Sequence, residues 1–197
     1  MNMSSLNTLS PNTWVENHGD FLFNYASGRI YNQETAEDIV QETFLSAYKA
    51  RNNFKGKSSE RTWLVSILKN KIIDFYRKKA NNPELSDYDF ELETDQDDSP
   101  FISEGAFKGH WKDGQGPGNW HLSALSKMES EEFYAVLHLC LSLLPVKWSS
   151  AFSLKFLEDL ESEKVCKHLN ISASNLWVIM HRARLQLRVC MDKNWED

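Results

Sequence analysis

The segment ISASNLWVIMHRAR combines side chains that can form hydrogen bonds, ionic contacts and apolar contacts over a short stretch. Its apolar residues recur every three or four positions, which predicts one buried face of a helix formed by Leu176, Met180 or Ile179, Ala183 and Leu187. The opposite face then presents groups that could reach the base edges and phosphates of DNA. These groups are Asn175, Trp177, Val178, His181, Arg182 and Arg184.

The residues before this segment supply the other parts of a helix-turn-helix. A short helix is predicted near 161–169, and Asn170 and Ile171 would form the turn. Ser172 or Ser174 can cap the second helix through its hydroxyl. In such a module the second helix enters the major groove with its N-terminal residues first. The alternative is a helical hairpin whose exposed face is merely solvated or packs on a partner protein.

A second segment, 49–79, is strongly basic. It carries ten Lys and Arg residues against two acids, a net charge of +8. Basic residues neutralise phosphates, and the aromatics between them could stack on unpaired bases. This combination favours single-stranded or melted nucleic acid over intact duplex. The alternative is an ordinary solvated face, and Trp63, in the middle of an apolar stripe, is more typical of a core residue.

An acidic segment follows, and its negative charge cancels the positive charge of the basic segment. Residues 84–98 carry eight acids and no base, a net charge of −8, and the whole chain has a net charge of −6. The acidity therefore excludes a whole-surface nucleic-acid binder but not a local basic face. Prolines and glycines across 81–127 predict an irregular linker. Four aromatics in this linker suggest that parts of it dock on another surface: Phe101, Phe107, Trp111 and Trp120.

Helical periodicity on both sides of the linker predicts an all-α protein of two small domains joined by an irregular acidic linker. The first domain, 12–80, contains apolar stripes over 34–51 and 61–79 after an opening helix. The linker covers 81–128, and the second domain covers 129–192. In the second helix we expect Ile39, Val40, Phe44, Leu45 and Tyr48 to share one apolar stripe.

The sequence lacks the residues that several classes of function require. There is no glycine-rich phosphate loop or nucleophile elbow, so an enzyme is not expected. His110 and His121 lack partner ligands for zinc, and no metal or cofactor is expected. Cys140, Cys166 and Cys190 are interpreted as buried thiols of a cytoplasmic protein rather than a disulfide framework. No export signal or membrane span is recognised.

Taken in order, three segments resemble the bacterial sigma-70 family, specifically its small extracytoplasmic-function sigma factors. AEDIVQETFLSAYKARNNF is similar to the helix that binds core RNA polymerase. ERTWLVSILKNKIIDFYRKK is similar to the helix that melts and reads the minus-10 element. The segment from Leu144 to Arg188 is similar to the domain that reads the minus-35 element. The resemblance implies a protein that recruits core polymerase to selected promoters.

The resemblance also implies roles for individual residues. Contacts with the polymerase clamp fall on Asp38, Gln41, Glu42 and Phe44. Recognition of a flipped minus-10 base and contacts with the adjacent strand or backbone fall on Ser58, Ser59, Arg61, Lys69, Asn70 and Arg77. Base reading at the minus-35 element falls on Trp177, Val178, His181 and Arg182, with backbone contacts from Ser174, Asn175 and Arg184.

Two features depart from the commoner family pattern. Trp177 and Val178 stand where a basic and a small polar residue are often found. The acidic, aromatic linker is longer than a minimal tether, and we expect 84–120 to thread the polymerase channels as a mimic of nucleic acid. The family also implies an anti-sigma partner and no direct membrane contact. The rival hypotheses are a helix-turn-helix regulator that does not recruit polymerase and a purely protein-binding helical module.

Overall fold

The computed structural model describes residues 9–82 and 127–194, with side chains described for 9–82 and 132–194. The helices are α1 (Trp14–Ser27), α2 (Gln33–Ala50), α3 (Glu60–Ala80), α4 (Lys127–Ser142), α5 (Val146–Phe152), α6 (Ser162–Leu169) and α7 (Ala173–Asn194). Short 3-10 turns cover Pro11–Thr13 and Arg51–Asn53, and a π-helical segment covers Ser153–Leu157. No strand occurs in these two ranges, and the predicted all-α fold is confirmed.

Helices α1, α2 and α3 pack on one another as a first helical group. Leu22 of α1 and Leu64 and Leu68 of α3 are fully buried at its centre. Burying a side chain of this size contributes about 1.5–3 kcal/mol, so these apolar stripes hold the helices together. The side chain of Asn32 caps α2 by accepting a hydrogen bond from the Thr35 amide at 2.8 Å. Helices α2 and α3 each begin one residue before the predicted starts at 34 and 61.

Helices α4 to α7 form a second helical group around Leu154, Val165 and Ala183, all fully buried. Asn170 ends α6 in the left-handed conformation, with φ of 53°, and supplies the turn without a glycine. The Ser172 hydroxyl accepts a hydrogen bond from the Asn175 amide at 3.1 Å. Of the two predicted capping residues, Ser172 therefore caps α7. The α6–turn–α7 unit has the predicted helix-turn-helix arrangement.

The interpretation of all three cysteines as free thiols is wrong for two of them. Cys140 of α4 and Cys190 of α7 form a disulfide across a sequence separation of 50 residues. Cys166 is a free thiol, as expected, but it is half-buried rather than buried. The pairing arises because α4 packs against the C-terminal part of α7, a contact that residue spacing along the chain does not reveal.

The two helical groups also contact each other. Helix α3 of the first group packs against α5, α6 and the π-helical segment of the second. The acidic segment 84–98, the linker aromatics and the proposed path of 84–120 lie outside the described residues. Among the described helices, none is long and apolar enough to cross a membrane.

Candidate nucleic-acid and protein interfaces

The exposed half of α7 carries all seven residues predicted to read or hold duplex DNA. Leu176, Ile179 and Met180 are buried on the side that faces the second helical group. On the opposite side Trp177 is 66% exposed and Val178 is 38% exposed. Ser174, Asn175, Arg182 and Arg184 are also exposed, and His181 is half-buried. The predicted division of α7 into a buried face and an exposed face is therefore found.

Aromatic rings organise this exposed face. The Trp177 and His181 rings stack with centroids 5.6 Å apart and an angle of 3° between their planes. The Arg182 guanidinium lies 5.9 Å from the centre of the buried Trp148 ring. The Arg184 guanidinium lies 5.1 Å from the Phe156 ring. These cation–π contacts orient both guanidinium groups before any ligand binds.

His181 should lose its proton more readily than an ordinary histidine, because its pKa is lowered. Burial lowers its pKa, and the neighbouring Arg184 and Arg182 guanidinium groups lower it further. Its NMR titration midpoint in the free protein is therefore expected below the ordinary value of about 6.5. The folded state binds the proton of His181 more weakly than the unfolded state does. The contribution of the neutral ring to stability is therefore present above the unfolded-state pKa and is lost as pH falls through the folded-state pKa.

Phosphate binding should reverse this shift, because an anion favours the imidazolium form. The midpoint is expected to rise on addition of duplex DNA, and affinity should increase as pH falls from neutrality. Arg184→Gln is the control, since removing a nearby positive charge should raise the midpoint in the free protein. A midpoint at or above the ordinary value in the unmodified protein would contradict the prediction.

The residues predicted to read the minus-10 element do not form one compact cluster. Ser59 caps α3 by accepting a hydrogen bond from the Thr62 amide at 3.2 Å, with the half-buried Ser58 before it. The exposed Arg61 places its guanidinium 4.8 Å from the Phe21 ring. Arg77 lies 16 residues beyond Arg61, about 24 Å along the helix axis. The structure thus divides the set into two groups. The loop end consists of Ser58, Ser59 and Arg61, and the helix face consists of Lys69, Asn70 and Arg77.

The helix face of this set points to solvent. Lys69, Asn70 and Arg77 are all exposed on α3. Arg77 forms an ion pair with Asp74 at 2.8 Å. Trp63 is half-buried, with its ring 5.2 Å from Phe54 and 6.1 Å from Trp14. This packing agrees with Trp63 as a core residue rather than a platform for bases.

Glu60 fixes the start of α3, and sequence reasoning did not single it out. Its carboxylate accepts hydrogen bonds from the Ser10 amide at 2.6 Å and the Trp14 indole at 2.5 Å. His18 Nε2 lies 3.1 Å from the other carboxylate oxygen. Burial alone would raise the pKa of Glu60, but these hydrogen bonds and the His18 charge outweigh it and lower the pKa. The loop before α3 is therefore anchored to α1 and the segment preceding it.

Glu60→Gln should destabilise the first helical group by about 1–2 kcal/mol, because hydrogen bonds to a charged group are lost. Urea denaturation would measure this loss. Since the folded-state pKa is lowered, the contribution is present above the unfolded-state pKa and is lost as pH falls through the folded one. The difference between the two proteins should therefore shrink at acidic pH. Glu16→Gln, at an exposed position of α1, is the control and should change stability by less than about 0.5 kcal/mol.

The exposed face of α2 carries the residues predicted to contact polymerase. Asp38, Gln41 and Glu42 are exposed, whereas Phe44 is half-buried and packs against the core. The Glu42 carboxylate pairs with Lys71 of α3 at 3.1 Å. The structure therefore brings the three polar residues together on one surface and places Phe44 behind them.

Two apolar residues extend this α2 surface, and neither was predicted to belong to it. Leu45 is 61% exposed and Tyr48 is 52% exposed, although both were predicted to lie on the apolar stripe of α2. They follow Asp38, Gln41 and Glu42 at helical spacing. Residues 38–48 thus present acids and amides beside uncovered apolar side chains, a composition that suits a protein partner.

Within the described residues no group of three or more His, Cys, Asp or Glu side chains could hold a metal ion. His110 and His121 lie outside those residues.

Comparisons with known proteins match both helical groups. Residues 14–82 match the family described as Sigma-70 region 2, and residues 134–187 match Sigma-70, region 4. A probable RNA polymerase sigma factor of Haemophilus influenzae is 38% identical over 176 residues, covering 87% of this chain and 84% of the relative. RNA polymerase sigma factor YlaC of Bacillus subtilis is 29% identical over 178 residues, covering 89% of this chain and 88% of the relative.

Among more distant relatives is the extracytoplasmic-function sigma factor SigX of Bacillus subtilis, 23% identical over 87% of this chain and 78% of the relative. A solved structure of the sigma factor RpoE with the anti-sigma factor NepR from Bartonella quintana is 19% identical with a TM-score of 0.42, covering 92% of this chain and 96% of that one. The two matches, in the order region 2 then region 4, span most of the described residues. The chain therefore belongs to the sigma-70 family, among the extracytoplasmic-function sigma factors that bind core RNA polymerase and direct it to promoters.

Proposed function

We propose that this sigma factor divides promoter recognition between a first domain, 12–80, and a second domain, 129–192, joined by a linker, 81–128. The observation that carries the proposal is the recognition face of α7, where Trp177, Val178 and Arg182 are uncovered opposite a fully packed face. Packing within the protein does not account for these exposed side chains. The protein acts in the cytoplasm without catalysing a reaction, and an anti-sigma partner remains a prediction.

In the second domain α7 enters the major groove at the minus-35 element. Its N-terminal residues reach the bases first, as in other helix-turn-helix modules. Arg182 can donate two hydrogen bonds to guanine, and Val178 can pack on a thymine methyl. Trp177 and His181 act as a stacked pair that covers sugar and base edges. Ser174, Asn175 and Arg184 hold the phosphate backbone and fix the register of the helix.

In the first domain the loop end and the helix face of the minus-10 residues have separate roles. Ser58, Ser59 and Arg61 receive a base extruded from the melted duplex. Extrusion costs a few kcal/mol of unstacking, so hydrogen bonds at the loop must offset it. Lys69, Asn70 and Arg77 contact the strand that continues along α3. The separation of about 24 Å between Arg61 and Arg77 supports this division, since it exceeds the reach of a single nucleotide.

Core polymerase binds the exposed face of α2. Asp38, Gln41 and Glu42 supply charge and hydrogen bonds to a basic partner, and Leu45 and Tyr48 supply apolar area. Phe44 supports the surface from behind. The linker residues 84–120 thread the polymerase channels as a mimic of nucleic acid, and deleting ELETDQDD should then reduce initiation.

Pulldown with core polymerase followed by run-off transcription tests the proposed function. Binding to core together with selective transcription from a subset of promoters is the expected result. Duplex binding through α7 without any affinity for core would favour the rival helix-turn-helix regulator. A protein that bound neither core nor DNA would instead support a protein-binding helical module.

Glu42→Lys should weaken core binding by roughly ten-fold, because the reversed charge faces a basic partner. Binding of a labelled protein to core at moderate salt would measure this. Asp20→Lys is the control, since it makes the same charge change at an exposed position of α1 and should leave affinity unchanged. The double variant Glu42→Lys with Lys71→Glu restores the pairing within the protein but not the contact with core. Full recovery of core binding in the double variant would contradict a direct role for Glu42.

A further inference from the structure

Phe21 of α1 is an exposed aromatic residue that lies beside a cation of α3. Its side chain is 42% exposed, although the adjacent Leu22 is fully buried in the first helical group. The Arg61 guanidinium lies over the Phe21 ring, 4.8 Å from its centre, and Arg61 is itself exposed. The two side chains therefore form one solvent-facing unit at the edge between α1 and α3, which we call the ring–guanidinium pair.

The positive charge of Arg61 is not neutralised within the part of the chain that the structure describes, where no carboxylate pairs with it. Its neighbour Glu60 is already bonded to α1 and to the segment preceding α1. Arg61 is also the second residue of α3, where the positive end of the helix dipole disfavours a cation. Neither an ion pair nor the stability of α3 therefore accounts for an arginine at this position.

A second contact of the same kind lies further along the two helices. The Lys69 ammonium lies 5.9 Å from the centre of the Tyr25 ring, about one turn beyond Phe21 on α1. The helix α1 thus places an aromatic ring beside one cation of the loop end and one cation of the helix face. The Tyr25 ring is half-buried, with the Arg29 guanidinium 3.5 Å from its centre. Of the two rings, Phe21 is therefore the one open to a ligand.

An exposed ring beneath an unpaired guanidinium suits an unpaired nucleotide. The flat faces of a base stack on aromatic rings and on guanidinium planes, and the adjoining phosphate is an anion. A carboxylate would neutralise Arg61 but leave the ring uncovered, whereas an apolar side chain would cover the ring but leave the charge unpaired. A base within a duplex is excluded, because its neighbours in the stack already cover both faces.

We propose that the base extruded at the loop end stacks on the Arg61 guanidinium, which the Phe21 ring holds in place, so that ring, guanidinium and base form three successive layers. This inference rests on the proposed function, which assigns Ser58, Ser59 and Arg61 to that base, and it adds Phe21 as a positioning residue. The serine hydroxyls bond the edge of the base, and Arg61 covers its face. Because every base has a flat face, the stacking contact strengthens binding without selecting a sequence.

Two single-stranded probes test the stack with the full-length chain: a short oligothymidine, and an abasic deoxyribose-phosphate strand of the same length. Both carry the phosphates, but only the first carries bases, so the ratio of their affinities measures stacking. Phe21→Leu should reduce this ratio by about ten-fold, in the range of base–aromatic stacking, and should leave affinity for the abasic strand unchanged. Phe21→Tyr retains a ring and should match the unmodified protein. Arg61→Lys retains the charge without the plane, so it should lose the preference for the thymidine strand but still bind the abasic strand.

Tyr31→Leu is the matched control, because Tyr31 is an exposed aromatic residue next to the same helical group and its ring lies beside His138 rather than beneath a cation. It should retain the full preference for oligothymidine, and urea denaturation would verify that both leucine variants are folded. A Phe21→Leu protein that weakens both strands equally, or that matches the control, overturns the inference. Full preference in Arg61→Lys also overturns it, because the guanidinium plane would then not be a layer of the stack.

Run-off transcription with core polymerase separates this inference from the proposed function. The Phe21→Leu protein should bind core as tightly as the unmodified protein but initiate less, since the extruded base loses its stack. If Phe21→Leu initiates as well as the unmodified protein, the inference is overturned and the proposed function stands. If the unmodified protein neither binds core nor initiates, the proposed function is overturned, while the affinity ratio of the two strands still reports whether bases stack on the ring–guanidinium pair.

Discussion

Reduction of the bond between Cys140 and Cys190 is expected to lower the free energy of unfolding of the second domain by about 4 kcal/mol. The disulfide closes a loop of 50 residues and so restricts the unfolded chain. Restriction of a loop of this length stabilises the folded state by a value between the roughly 3 kcal/mol of a 15-residue loop and the roughly 5 kcal/mol of a 100-residue loop. The effect is large because a domain of this size is only marginally stable.

Urea denaturation in the presence and absence of a thiol reductant would measure this loss, with Trp148 and Trp177 as fluorescent reporters of the second domain. The double variant Cys140→Ser with Cys190→Ser should reproduce it without reductant. Cys166→Ser is the control, since Cys166 is a free thiol and its replacement should leave the effect of the reductant unchanged. Three titratable thiols in the unfolded, unreduced protein would show that the bond does not form.

The helices of both domains could be predicted from the sequence because their signals are local. Apolar spacing of three or four residues identified the buried side of α7, and the hydroxyl of Ser172 marked its start. Asn170 could be assigned to the turn because asparagine tolerates the left-handed conformation better than most residues. These features depend on a few neighbouring residues, so one sequence is enough to find them.

The contacts that could not be predicted from the sequence join residues that are far apart in the chain. Cys140 meets Cys190, and Arg29 meets Glu158, only because helices from distant segments pack together. Nothing in their own neighbourhoods marks them as partners. A charged residue such as Glu158, which precedes a second acid, Asp159, is ordinarily expected at the surface.

The apolar stripe of α2 shows a different limit. Periodicity placed Leu45 and Tyr48 on the apolar stripe of α2, whereas both are more than half exposed. The stripe is wider than the surface that α1 and α3 can cover, so its edge remains uncovered. Spacing alone does not distinguish an apolar side chain that packs within the protein from one that forms part of a binding surface. Here the excess apolar residues add to the proposed polymerase surface.

Arg182→Ala is expected to abolish preference for one base pair of the minus-35 element while leaving core binding intact. A bidentate contact between arginine and guanine contributes about 1–3 kcal/mol of discrimination, so transcription from the preferred promoter should fall by roughly 5- to 150-fold. Arg182 is exposed and its nearest described aromatic contact, Trp148, is 5.9 Å away, so little stability should be lost. Run-off transcription on a set of promoters with single substitutions in the minus-35 element would measure the change.

Arg184→Ala is the matched control because it removes the same kind of side chain from an exposed position two residues further along α7. As a phosphate contact, Arg184 should contribute equally to all sequences, and its loss should reduce the slope of log affinity against log salt by about 1. Arg182→Ala should leave that slope nearly unchanged and alter the ranking of promoters. A uniform loss across promoters in the Arg182 variant would place this guanidinium on the backbone, and base reading would then fall to Trp177, Val178 and His181.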